Sequence, residues 1–248
     1  MKNFTYYAPT RVMFGKGTEE ELGKIVSGYG FHKVLIHFGG GSVKRSGLLE
    51  RLEKSLAAAG VEYVEFGGVQ PNPKLSLVRE AIQVCVQEQA DLVLAVGGGS
   101  VIDSAKCVAA GAAEPSVDPW EYLSRVKTVD KSLPVGVVLT IAASGSEMSS
   151  SCVITKEEGA LKRSFNSDLS RPLFAIMNPE LTYSVSKFQT GCGTVDIMMH
   201  TLERYFGTDG EAPLTDRLAE GLLKEVIEAG RIADREPDNY EARAALMW

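Results

Sequence analysis

Short apolar runs alternate with amphipathic helical patterns through the first half of the chain, and this alternation leaves few folds open to it. Lys33-Val34-Leu35-Ile36-His37-Phe38 reads as a buried strand, and Leu48, Leu52, Leu56 and Ala59 fall on one helical face that Gly60 ends. Val61 to Phe66 is the next strand, Val78, Ile82, Cys85 and Val86 mark the next helix, and Asp91 to Val96 is a third strand. That third run is continuously apolar rather than alternating, which fits a strand covered on both faces. The βαβαβ order predicts an α/β fold with a doubly wound parallel sheet and right-handed crossovers. A helix after Gly99 and strands near Val135 to Thr140 and Leu173 to Met177 extend the pattern.

From about Leu181 the strand signal stops. Phe188 to Phe206 and Thr215 to Gly230 read as helices, the second with Leu218, Leu222, Val226 and Ile227 on one face, and Tyr240 to Trp248 as the opening of a third. The expected organisation is an α/β domain over residues 1–180 and an all-helical domain over 181–248. A last helix bearing Leu246, Met247 and Trp248 needs a partner surface, and only two earlier helices offer one. The helical domain is therefore expected to be truncated; a complete small domain closed by a docked C-terminal helix is the alternative.

With 248 residues, 44% hydrophobic and 23% charged, the chain can bury a sizeable core. A net charge of −6, with no basic run or basic amphipathic face, argues against nucleic acid or an anionic membrane as partner. Cys85, Cys107, Cys152 and Cys192 show no CxxC spacing and read as reduced thiols. The start has no signal-like apolar region and no run approaches a membrane span, so the expected location is cytoplasmic.

Three clusters of small residues follow predicted strands. Gly97-Gly98-Gly99-Ser100-Val101-Ile102-Asp103 opens a helix, where glycines allow close backbone approach and free N–H groups suit a pyrophosphate. It is not the GxGxxG fingerprint, and taken alone it also fits an ordinary glycine-rich turn. Gly39-Gly40-Gly41-Ser42-Val43-Lys44-Arg45 follows Phe38 without the acidic residue that takes a ribose 2′-hydroxyl. Its N–H groups, the Ser42 hydroxyl and the nearby Lys44 and Arg45 favour a phosphorylated ribose, hence NADP(H) over NAD(H); the other reading of the two cations is a solvated helix start. Thr140-Ile141-Ala142-Ala143-Ser144-Gly145-Ser146-Glu147 adds hydroxyls after a third strand. Together the clusters point to one crevice at the carboxyl ends of a sheet. Farther on, Asp196 and His200 stand four apart on a predicted helix, on one face, where they can share a divalent metal or make a simple helix-surface contact.

Taken together, Phe14-Gly15-Lys16-Gly17, FGGGSVKRSG at 38–47, Pro71-Asn72-Pro73, GGGSVID at 97–103, SGSE at 144–147 and Asp196 with His200 inside DIMMHTLERYF resemble the iron-containing (group III) alcohol dehydrogenases, in their NADPH-dependent butanol dehydrogenase or aldehyde reductase branch. The resemblance implies a dinucleotide-binding domain, a helical domain and a catalytic divalent metal, Fe2+ or Zn2+, held by one Asp and three His. Only Asp196 and His200 map onto that set. By the same matching Gly40, Ser42, Gly98, Gly99, Ser100, Asp103, Thr140, Ser144 and Ser149 line the cofactor, with Val153, Lys162 and Leu181 near its ribose or nicotinamide. Lys162 also reads as an exposed base on a hairpin strand.

The implied reaction is hydride transfer between NADP(H) and a small aldehyde or primary alcohol, with the metal polarising the carbonyl. Two alternatives stand beside it. One is a zinc polyol dehydrogenase of the glycerol dehydrogenase kind; the other is an NADP-binding fragment that catalyses nothing. The resemblance leaves a homodimer open.

Overall fold

A computed structural model of the chain describes residues 3–207 and 212–248. They form two compact units, one of Pro9–Leu139 with Ser146–Met177, the other of Thr140–Gly145 and Asn178–Trp248 with the described part of the first eight residues.

In chain order the first unit contains β1 (Arg11–Phe14), α1 (Leu22–Gly28), β2 (Lys33–Gly39), α2 (Ser42–Arg45), α3 (Leu48–Ala58), β3 (Glu62–Val69), α4 (Leu75–Gln87), β4 (Leu92–Gly97), α5 (Gly99–Ala113), α6 (Pro119–Leu123), β5 (Val135–Leu139), β6 (Ser151–Lys156), β7 (Leu161–Asn166) and β8 (Phe174–Met177). Six of the strands make one sheet in the order β1-β8-β5-β4-β2-β3, every neighbouring pair parallel. The α/β fold with a parallel sheet is therefore the one the alternation predicts. β4 and β5 are buried at every position, as a strand covered on both faces must be. β3 lies at the edge, mostly accessible, and carries Glu62 and Glu65, charges that discourage further strand pairing.

β3 and β1 differ from the sequence reading, and α6 has no counterpart in it. β3 continues past Phe66 through Gly67 and Gly68, which look like a strand end. A β-carbon on Gly67 would lie 2.5 Å from the Phe38 ring, so glycine is what lets β3 stay paired while that ring packs over it. β1 has no strand pattern of its own; it is four residues completed by pairing with β8, Arg11 against Phe174 through Phe14 against Met177.

After β2 the chain runs outward to β3, then returns through α4 to β4 on the other side of β2. This reversal leaves the carboxyl ends of β2 and β4 side by side, with Phe38 level with Val96, and in open α/β sheets a ligand crevice opens at such a point.

The second unit contains α7 (Lys187–Tyr205), α8 (Pro213–Arg235) and α9 (Tyr240–Met247). Ser186 Oγ caps α7 by accepting from the Gln189 N–H, and Asn239 Oδ1 caps α9 by accepting from Ala242. Val226, Ala229 and Ala233 of α8 pack with Ala242 and Leu246 of α9, and Ile197 and Met198 of α7 close against them. Small residues set the spacing. A β-carbon on Gly230 would stand 2.6 Å from Thr194 Cγ2, and one on Gly193 would stand 2.3 Å from the Ala142 carbonyl oxygen. Arg243, buried, donates from Nη1 to Thr190 Oγ1 at 2.8 Å and from Nε to the Pro237 carbonyl at 2.7 Å, tying α9 to α7. Of the face read on α8, Val226 is buried whereas Leu218 and Leu222 are exposed. No helix among the described residues is long and apolar enough to cross a membrane. Cys85, Cys107 and Cys152 are buried and Cys192 exposed, all as free thiols.

Candidate cofactor and metal site

The glycine turns after β2 and β4 stand at the strand-order reversal. Gly97 closes β4, and a β-carbon there would lie 2.6 Å from Val101 Cγ2, so the turn into α5 can be this tight only with glycine. Gly98 precedes α5 in extended backbone and no side chain caps the helix. Its first N–H groups, including those of Gly99 and Ser100, are thus available to an anion, reinforced by the dipole of fifteen helical residues. On the neighbouring strand Gly40 is exposed, with nothing within 4 Å of the point a β-carbon would occupy, and Gly41 takes the left-handed region at φ 101°. Ser42 starts α2 with its side chain accessible.

The two cations beyond Ser42 are not equivalent. Lys44 Nζ donates to Glu65 Oε2 at 2.7 Å and lies 5.1 Å from the Phe38 ring centre, so the acid missing from the β2 turn is supplied to Lys44 by β3. The Lys44 hydrogen bond in turn holds the Glu65 carboxyl below its usual range. Arg45 curls back instead, its Nη1 3.6 Å from where a Gly41 β-carbon would sit.

Asp103, one turn into α5, is engaged at both oxygens: Ser146 donates to Oδ1 at 2.7 Å and the Val153 N–H to Oδ2 at 3.1 Å. Burial pushes its carboxyl up, opposed by the Ser146 hydrogen bond and the nearby Lys106 charge. Lys106, absent from the motif reading, is fully buried and donates to the carbonyls of Ser146, Ser149 and Ser151 at 2.7, 2.9 and 2.9 Å and to Ser146 Oγ at 3.1 Å. Burial lowers it to about 8. The sequence clue was its position in GGGSVIDSAK, three residues beyond Asp103 on the same helical face. Ser149 and Val153 are thereby held against α5. Lys162 lies on β7 of the β6–β7 hairpin, exposed, and donates to Asn72 Oδ1 at 2.9 Å, while the Pro73 carbonyl accepts from Thr155. The Pro71-Asn72-Pro73 motif therefore braces the hairpin that carries Lys162.

Thr140, Ser144 and Leu181 belong to the second unit, as do Asp196 and His200. On α7, Asp196 Oδ1 and His200 Nε2 are 3.8 Å apart and both side chains are close to half exposed. A carboxylate and an imidazole so placed fit two positions of a four-ligand divalent site. Among the described residues no group of three or more His, Cys, Asp or Glu is arranged to hold a metal. His37, one of the three histidines, is spoken for elsewhere: its Nδ1–H donates to the Phe66 carbonyl at 2.9 Å and its Nε2 accepts from Ser104 at 2.8 Å. His32 is exposed beside Asp91.

An open parallel sheet with glycine turns meeting at a strand-order reversal defines a doubly wound α/β protein. Residues 9–179 match the family described as iron-containing alcohol dehydrogenase, and the chain belongs to that family. It is 42% identical over 248 residues to NADH-dependent butanol dehydrogenase A of Clostridium acetobutylicum, covering all of this chain and 63% of that protein. It is 39% identical to the NADPH-dependent aldehyde reductase YqhD of Escherichia coli, covering 64% of it. The crystal structure of NADH-dependent butanol dehydrogenase A from Thermotoga maritima superposes with a TM-score of 0.97 at 40% identity, over the whole of this chain and 62% of that one. The chain thus spans less than two thirds of the length of these relatives.

Proposed function

We propose that this chain binds NADP(H) and takes part in hydride transfer between it and a small aldehyde or primary alcohol, as a cytoplasmic oxidoreductase. The observation that carries the reading is the pairing of two glycine turns at the adjacent carboxyl ends of β2 and β4, one opening onto the uncapped start of α5. The N–H groups at Gly98 to Ser100 hold the pyrophosphate. Ser42 and Arg45 hold the phosphorylated ribose, Arg45 rather than the Glu65-paired Lys44 being the cation that supports NADP(H). Thr140, Ser144, Ser149, Val153, Lys162 and Leu181 are assigned to the remaining cofactor contacts on the family pattern. The named relatives divide between NADH and NADPH, so this preference rests on the chain's own residues.

Asp196 and His200 are assigned to the divalent metal, Fe2+ or Zn2+, which when bound supplies Lewis-acid stabilisation of the negative charge that grows on a carbonyl oxygen. Among the described residues Asp196 and His200 are not joined in a group of three or more possible ligands, and nucleotide binding without turnover is the second reading.

The test is fluorescence titration with NADPH and NADH, followed by NADPH oxidation with butanal in the presence of Fe2+ or Zn2+. NADPH binds more tightly, and Arg45→Gln weakens it at least tenfold while changing NADH less than twofold. Turnover that disappears with chelator and with Asp196→Asn supports the oxidoreductase; binding without turnover supports the second reading. Failure to bind either nucleotide overturns both.

A further inference from the structure

The helix α5 holds an irregular segment by a buried cation that the cofactor assignment does not use. The carbonyls of Ser146 and Ser149, on the irregular segment before β6, and of Ser151, the first residue of that strand, draw further donors beyond the Ser149 N–H that reaches Ser146 at 3.2 Å. A single ammonium supplies them. Lys106 is fully buried and reaches all three at 2.7–2.9 Å, with Ser146 Oγ at 3.1 Å. Ser146 Oγ passes the link on by donating to Asp103 at 2.7 Å, and Asp103 takes the Val153 N–H with its other oxygen. Cys152 Sγ donates to the Asp103 carbonyl at 3.1 Å, a third tie between the same two stretches.

Burying an ammonium is costly, and a leucine or methionine would fill the volume without that cost. What only a polyvalent donor can do is fix three carbonyls of a loop in one geometry. The loop so fixed carries Ser149 and leads directly to Val153, both assigned above to the cofactor. The residues assigned to the phosphorylated ribose, at Gly39 to Arg45, are not among the partners of this clamp.

We infer that Lys106, through Ser146 and Asp103, is a positioning residue that presets the Ser146–Val153 segment for the nicotinamide half of the bound dinucleotide. The inference rests on the nucleotide-binding reading. A clamp of this kind acts on one half of the ligand, whereas general loosening of the unit acts on both.

The test compares NADPH with adenosine 2′,5′-bisphosphate, which reaches the ribose-phosphate and pyrophosphate positions and lacks the nicotinamide half. Lys106→Met weakens NADPH at least tenfold and leaves the bisphosphate within twofold; Ser146→Ala, which keeps the ammonium on its three carbonyls, weakens NADPH three- to tenfold with the same selectivity. Should Lys106→Met fail to fold, Ser146→Ala decides. Equal loss of both ligands, or NADPH affinity within twofold of wild type in Ser146→Ala, overturns the inference while the nucleotide-binding reading stands. A wild-type protein that binds the bisphosphate as tightly as NADPH overturns the inference too, since the nicotinamide half then contributes nothing, and one that binds neither overturns the reading beneath it.

Discussion

At the scale of single residues, a buried histidine in the sheet unit is tolerated because it is given partners. His37 sits in the middle of β2 with both ring nitrogens satisfied, and burial pulls it from 6.5 to about 4. Between these two values the unfolded chain binds a proton that the folded chain does not, so stability rises as pH rises from 4 to 6.5. It is lost as pH falls through that window, by up to roughly 3 kcal/mol from this one group. Urea unfolding at pH 4.5 and 7 measures the difference, and His37→Gln removes that part of the slope; an unchanged slope refutes the assignment. The sequence placed His37 within a buried strand, but its neutrality depends on Phe66 and Ser104, which are 29 and 67 residues away.

At the scale of elements, glycines divide into those that pack and those that leave space, a distinction invisible in the letters GGG. Gly97→Ala drives a methyl to within 2.6 Å of Val101 Cγ2 at the buried end of β4 and should cost about 1–3 kcal/mol, as overpacking does. Gly40→Ala meets nothing within 4 Å and should change stability by less than about 0.5 kcal/mol. Under the proposed cofactor site its effect is expected in NADPH affinity, because the methyl would meet a ligand approaching the backbone there. Thermal unfolding and nucleotide titration of the two variants separate packing from binding; equal behaviour in both assays contradicts the distinction. The helices of the second unit obey the same rule, with Gly193 and Gly230 admitting the Ala142 carbonyl and Thr194.

At the scale of the whole molecule, a ligand that binds only folded chain stabilises it by mass action. NADPH at 100 times its dissociation constant should add about 2.7 kcal/mol. Differential scanning calorimetry detects this as a raised unfolding temperature, and amide exchange should slow at Gly39–Ser42 and Gly98–Ser100 but not across the β6–β7 turn. Uniform protection, or none, counts against the crevice.

The order of elements was legible in the residues themselves, because burial on two faces writes a continuous apolar run, as in Leu92 to Val96, and burial on one helical face writes the spacing of Leu48, Leu52 and Leu56. The glycine turns and the Asp196–His200 pair were legible for the same reason: their chemistry is local. What lay beyond the letters was every partnership between distant segments. β1 exists by pairing with β8, Lys44 pairs with Glu65 from the next strand, and Lys106 finds its carbonyls some 40 residues downstream. Those choices are made by tertiary packing, since hydrogen-bond donors and charges carry no sequence record of the group they will meet once water is excluded.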